Sequence, residues 1–129
     1  MKLRIKGNSI RLRLSRPDVA RLARDGRVEE TTAFGVRRED ALAYAVESSP
    51  TITDVAARLA SGRITVVLPE ALAREWASTD RVGIAAEQRG VGPDGAGVLQ
   101  ILIEKDFACL DRRDEDADAF ANPAATRAC

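Results

Sequence analysis

Arg63–Ala86, RITVVLPEALAREWASTDRVGIAA, reads as strand, helix, strand, and a looser copy stands at Ser9–Thr32, SIRLRLSRPDVARLARDGRVEETT. Ile64, Val66 and Leu68 alternate with Thr65 and Val67, the period of a strand buried mainly on one face. Pro69 has no N–H for a ladder, but its fixed φ suits the first turn of a helix. Glu70 then meets the positive end of the helix dipole. Leu72 and Trp76, with Ala73 and Ala77 beside them, form an apolar stripe. Ser78-Thr79-Asp80 breaks it, and Val82–Ala86 is extended again. In the earlier copy Ile10, Leu12 and Leu14 alternate with Arg11 and Arg13. Ser15 and Asp18 have the spacing of a capping box, with Asp replacing the usual Glu or Gln. Pro17 lies in the first turn, Val19, Leu22 and Ala23 supply the stripe, and Gly26 is placed for a C-terminal cap.

Outward from these copies the same parts recur. A strand precedes each (Lys2–Lys6, Thr53–Leu59) across a short turn, Gly7-Asn8 or Ser61-Gly62. Another follows each (Leu42–Glu47, Val98–Glu104). The expected fold is α+β: an antiparallel sheet or open barrel of about eight strands with helices 17–25 and 69–78, built from a duplicated β-β-α-β-β unit. One domain is expected over 1–107, with repeats 1–48 and 52–107 and an acidic C-terminal tail at 108–129. The predicted core is Leu3, Ile5, Ile10, Leu12, Leu14, Leu22, Ile64, Val66, Leu68, Leu72, Trp76, Leu99, Ile101 and Ile103.

At 129 residues, 45% of them hydrophobic, the chain has material for one core. Twenty basic residues balance twenty acidic ones, so bulk charge selects no partner. No apolar run approaches the roughly 18 residues of a membrane span. A strand pattern begins at Lys2 with no signal-like region, which sets the expectation of a cytoplasmic protein without membrane partners. The charge is unevenly spread. Residues 1–27 carry nine basic residues against Asp18 and Asp25, and residues 104–129 carry seven acidic against Lys105, Arg112, Arg113 and Arg127. Front and tail most simply neutralise each other.

In a hairpin, Lys2, Arg4, Lys6, Arg11 and Arg13 share the polar face. They form an anion site for a phosphate-bearing ligand, or a solvated face neutralised by Glu29, Glu30, Glu47 or Glu104. No aromatic is interleaved with them, which argues against single-stranded nucleic acid. Gly90-Val91-Gly92-Pro93-Asp94-Gly95 matches G-x-G-x-x-G, but a turn and a strand follow where a dinucleotide site needs a helix. It reads as a hairpin loop. The chain has no histidine, which excludes Ser-His and Cys-His catalysis within it. In the tail, Asp114, Asp116 and Asp118 match the opening of a calcium loop, yet Ala119 and Ala125 replace its glycine and its bidentate Glu. With Cys109 and Cys129 they are the candidates for a metal or thiol site; no cofactor is implied.

The blocks KLRIKGNSIRLRLSRPDVARL, ITVVLPEALAREWASTDRVGI and EKDFACL are similar to a family of small bacterial proteins of unknown function. That resemblance spans nearly the whole chain and implies no activity and no catalytic residues. Repeated β-β-α-β units also resemble triphosphate-tunnel enzymes, whose charged residues line a barrel lumen. Lys2-Leu3-Arg4-Ile5-Lys6 departs from them by lacking their metal-binding glutamates. The expected function is a non-enzymatic binding or interaction module, with a homodimer through a sheet edge as one form. The alternatives are a phosphate- or anion-binding domain, hydrolytic at its extreme, and the tail site.

Overall fold

Four hairpins and two helices are built from the described residues, each hairpin closed where the pattern of apolar residues is interrupted by turn residues. The structure is a computed structural model describing residues 1–107, 119–121 and 123. Its elements are β1 (Lys2–Lys6), β2 (Ser9–Leu14), α1 (Arg16–Asp25), β3 (Arg27–Ala33), β4 (Ala41–Ser49), β5 (Ala56–Ala60), β6 (Arg63–Pro69), α2 (Glu70–Ser78), β7 (Gly83–Val91) and β8 (Gly97–Lys105). The G-x-G-x-x-G match falls in the β7–β8 connection, a short 3-10 turn at Pro93–Gly95, as a hairpin loop requires. Among the described residues no helix is long and apolar enough to cross a membrane.

The eight strands and two helices make an α+β fold, but the strands form two open four-stranded mixed sheets rather than one sheet or a closed barrel. Sheet A has the order β1-β2-β8-β7 and sheet B the order β3-β4-β6-β5. The outer pairs are antiparallel hairpins, while the central pairs, β2 with β8 and β4 with β6, are parallel. The parallel joints follow from the helices. Each one carries the chain out of one sheet and delivers the next hairpin to the other, so the inner strands meet from different hairpins. The first half places β1-β2 in sheet A and β3-β4 in sheet B; the second half places β5-β6 in sheet B and β7-β8 in sheet A.

Side chains from the inner faces of both sheets form one core: Ile10, Leu12, Leu14, Ile101, Ile103 and Ile84 from sheet A, with Val28, Val46, Ile64, Val66 and Leu68 from sheet B. Leu22 of α1 and Ala73 and Trp76 of α2 join it. Ile5 corrects the predicted core, because it is 58% exposed. It lies on an edge strand beside the turn and has a neighbouring strand on one side only. A second correction concerns β6, which is buried over Ile64–Leu68 on both faces rather than on one. The register of the two copies also needs adjusting. Continuous alignment sets Val82 against Val28, yet Ile84 takes the buried position equivalent to Val28 and Val82 stays exposed.

The capping box at α1 is formed. The Asp18 N–H donates to Ser15 Oγ at 3.4 Å, and Asp18 Oδ2 accepts the Ser15 N–H at 2.9 Å. The same carboxylate lies 2.9 Å from the α-ammonium of Met1, which also donates to Glu30 Oε1 at 2.7 Å. Tyr44 donates its hydroxyl to the other Glu30 oxygen at 3.1 Å. Gly26, at φ 75°, closes the helix by donating its N–H to the Leu22 carbonyl at 2.8 Å; its left-handed backbone is where glycine costs least.

At the side of the sandwich where β7 faces β5, one side chain does the work of a missing strand. Gln88 accepts the Ala57 N–H at 2.7 Å and donates to the Ala57 carbonyl at 3.0 Å. Gln88→Ala leaves both backbone groups without their partners. We expect it to cost about 1–2 kcal/mol, read as a lower urea midpoint with an unchanged denaturant slope. A midpoint equal to wild type would mean that water replaces the amide at no cost.

Candidate functional site

The outer faces of the two sheets carry charge in opposite styles. In sheet B, Arg27 pairs with both Glu29 and Glu47. Arg58 reaches Glu47 at 3.1 Å and Arg63 reaches Glu29 at 3.2 Å. This lattice of three arginines and two glutamates lies over small side chains, and beneath it Ala45 and Thr65 are buried. It explains why β6 is covered on both sides. Glu29 and Glu47, expected on sequence grounds as neutralisers of the N-terminal cations, are instead spent here; Glu30 is spent on the Met1 cluster.

Sheet A collects the predicted cations. Strand alternation and the β1–β2 register set Lys2 opposite Arg13, and Arg4 opposite Arg11, on the outer face, with Lys6 next to Ser9. Arg89 of β7 joins them. Among the described residues the acidic ones on this face are Glu87, Glu104 and Asp106, three carboxylates beside six cations. Glu104 approaches Arg13 at 2.8 Å and Arg11 at 3.6 Å. Asp106 approaches Lys2 at 3.0 Å and Arg13 at 4.0 Å. Glu87 holds Arg89 at 2.8 Å and accepts from Gln100 at 3.3 Å. Glu104 and Asp106 thus gather around Arg13.

At the turn end of the same face is an open groove of about 340 Å³. Arg4, Lys6, Ser9, Arg11 and Gln100 supply its polar lining, and Ala85 and Leu102 part of its apolar lining. Guanidinium groups present rigid forks of donors that match phosphate or carboxylate oxygens, while the lysine adds a mobile point charge. Because the cations lie outside the sandwich and apolar side chains fill the space between the sheets, the likeness to tunnel enzymes ends at the β-β-α-β arrangement.

Ser9 and Gln100 were missed in the sequence. Ser9 gave no signal beyond a turn-flanking polar residue, and Gln100 enters the groove only through the parallel β2–β8 register, which sets it opposite Ser9. Cys109, Cys129, Asp114, Asp116 and Asp118 lie outside the described residues. Among the described residues no group of three Cys, Asp or Glu side chains is placed to hold a metal ion.

A second groove, of about 790 Å³, runs beside the helices and is lined by Leu14, Val19, Ala20, Ala23, Ala77 and Phe107 among others. Its Lys105 is engaged: the ammonium donates to the Thr79 carbonyl at 2.6 Å and stands 5.7 Å from the centre of the Trp76 ring.

The sequence model of a family of unknown function, DUF7009, matches residues 1–124, and the chain belongs to that family. Comparison with curated proteins and with solved structures returns no match.

Proposed function

We propose that this member of the DUF7009 family is a non-enzymatic binding module whose ligand is an anion bearing phosphate groups, held on the outer face of sheet A. The observation that carries the reading is the clustering of six cations beside three carboxylates there among the described residues, next to a groove lined by Arg4, Lys6 and Arg11. The outer face of sheet B, with three arginines to two glutamates, carries the smaller excess. A face that only needed solubility would be served equally well by that second arrangement. The alternation Lys2, Arg4, Lys6 along an edge strand suits an extended ligand with repeated negative charges better than a single compact one. We also infer that the two halves descend from one duplicated β-β-α-β-β unit, a reading supported by the exchange of hairpins between the sheets. On that reading the sheets have since diverged, one into an ion-pair lattice and one into a binding face.

Inorganic polyphosphate is the probe. At 100 times its dissociation constant, a ligand of the native state adds about 2.7 kcal/mol, which raises the melting temperature by several degrees in a chain of this size. We expect that rise at low ionic strength and its loss in the double variant Arg4→Glu/Lys6→Glu. Both side chains are exposed, so the fold should survive the change. A melting temperature indifferent to polyphosphate would overturn the assignment, as would a rise that the double variant keeps.

A further inference from the structure

The groove beside the helices lies apart from the anion face, and its surface complements itself. On α1, Arg16, Ala20 and Ala23 have the spacing of one helical stripe, and Ala77 of α2 lines the same hollow. Methyl groups at the three alanine positions leave a concavity of about 790 Å³ that longer side chains would fill. Phe107 also lines it and is 55% exposed, a large ring left facing water. Four charged residues complete the lining. Lys105 is taken by the Thr79 carbonyl and the Trp76 ring, and Asp106 by Lys2 and Arg13. Arg16 and Asp80, one of each sign, are exposed and have no side-chain hydrogen bond or ion pair among the described residues. We propose that this groove is the contact between two copies of the chain related by a two-fold axis. In such a contact both copies present the same patch, so a residue that meets a second one is met by it in return. Phe107 of each copy fills the alanine-walled hollow of the other, and Arg16 of each meets Asp80 of the other. A self-complementary patch needs one unspent charge of each sign, and the groove has that pair beside its exposed ring. The edge strand β1 is the less suitable contact, because two copies paired there would set Lys2, Arg4 and Lys6 against their own kind.

The test is the oligomeric state of the full chain without polyphosphate, read by analytical ultracentrifugation over a range of protein concentrations. Wild type should pass from monomer to dimer as concentration rises and go no further, because a two-fold contact closes on itself. Arg16→Asp and Asp80→Arg should each raise the dissociation constant about ten-fold, since every substitution acts twice across the axis and sets like charges together. The double variant Arg16→Asp/Asp80→Arg rebuilds the pair with its signs exchanged and should return to within about three-fold of wild type. Phe107→Ser should weaken the dimer about a hundred-fold. All three side chains are exposed, so the fold should survive, which circular dichroism checks. A chain that stays monomeric at every concentration overturns the proposal. A dimer indifferent to Phe107→Ser and to both single charge reversals places the contact elsewhere and overturns it too. A double variant no better than the singles, or growth into larger assemblies, overturns the two-fold arrangement. None of these outcomes touches the anion face, whose own test is polyphosphate binding.

Discussion

Trp76→Ala is expected to destabilise the protein by about 4 kcal/mol, the largest effect of any single substitution considered. A large-to-small change in a core loses the transfer free energy of the ring and adds the penalty of the cavity left behind. Trp76 is fully buried and sits in the same cluster as the inner-face residues of both sheets. Its indole N–H donates to the Val82 carbonyl at 3.1 Å, tying α2 to the segment that leads into β7. The Lys105 ammonium loses its ring partner at the same time. Trp76→Phe separates these contributions: it keeps most of the apolar area and forfeits the hydrogen bond, so about 1–2 kcal/mol is expected. Urea unfolding followed by far-ultraviolet circular dichroism reads both, since Trp76 is the only tryptophan and its fluorescence is lost with it. A cost for alanine below that for phenylalanine would contradict the packing described.

Asp18→Ala is expected to cost about 3 kcal/mol. The carboxylate caps α1 through the Ser15 backbone and hydroxyl, a contribution of about 1 kcal/mol. It also partners the buried Met1 ammonium, and removing one side of a buried ion pair leaves the other uncompensated. Glu30 remains, which keeps the loss below the usual upper range. Burial pushes the Asp18 carboxyl up, but hydrogen bonds from the Met1 ammonium and from Ser15 outweigh it and hold the group below its ordinary 3.8. Burial likewise pushes the ammonium down, while Glu30 and Asp18 outweigh that and hold it above 8.0. A carboxylate with a lowered pKa contributes stability that is present above 3.8 and lost as pH falls through the native value. An ammonium with a raised pKa contributes stability that is present below 8.0 and lost as pH rises through the native value. The gap between wild type and Asp18→Ala should therefore be widest between those two values and narrow on both sides. A gap that stays constant into acid would show that Asp18 acts through packing and not through its charge.

Local signals carried most of the secondary structure. Ser15 and Asp18 announced the start of α1, Gly26 its end, and the alternation of Ile10, Leu12 and Leu14 named the inner face of β2. The division into two sheets was not legible, because nothing in a strand's own pattern says which distant hairpin it will join. The parallel β2–β8 and β4–β6 joints come from the crossing helices, a property of the whole chain. For the same reason the second face of β6 was misjudged. Its cover is built from Arg27, Arg58 and Arg63 with Glu29 and Glu47, residues scattered over three other strands and the start of β6. The basic face was legible, since period 2 alone puts Lys2, Arg4, Lys6, Arg11 and Arg13 together. Its groove was not, because Gln100, Leu102 and Ala85 arrive from the far end of the chain. Asp18 was read as a cap only; its second role depends on Met1 and Glu30 meeting it across the fold.

Amide chemical-shift mapping of the full chain during titration with inorganic polyphosphate tests the central assignment most directly. Saturable shifts should concentrate on Arg4, Lys6, Ser9, Arg11 and Gln100, weaken as salt is raised, and leave the sheet B residues Arg27, Arg58 and Arg63 still. Shifts centred on sheet B, or none that saturate, would contradict the account.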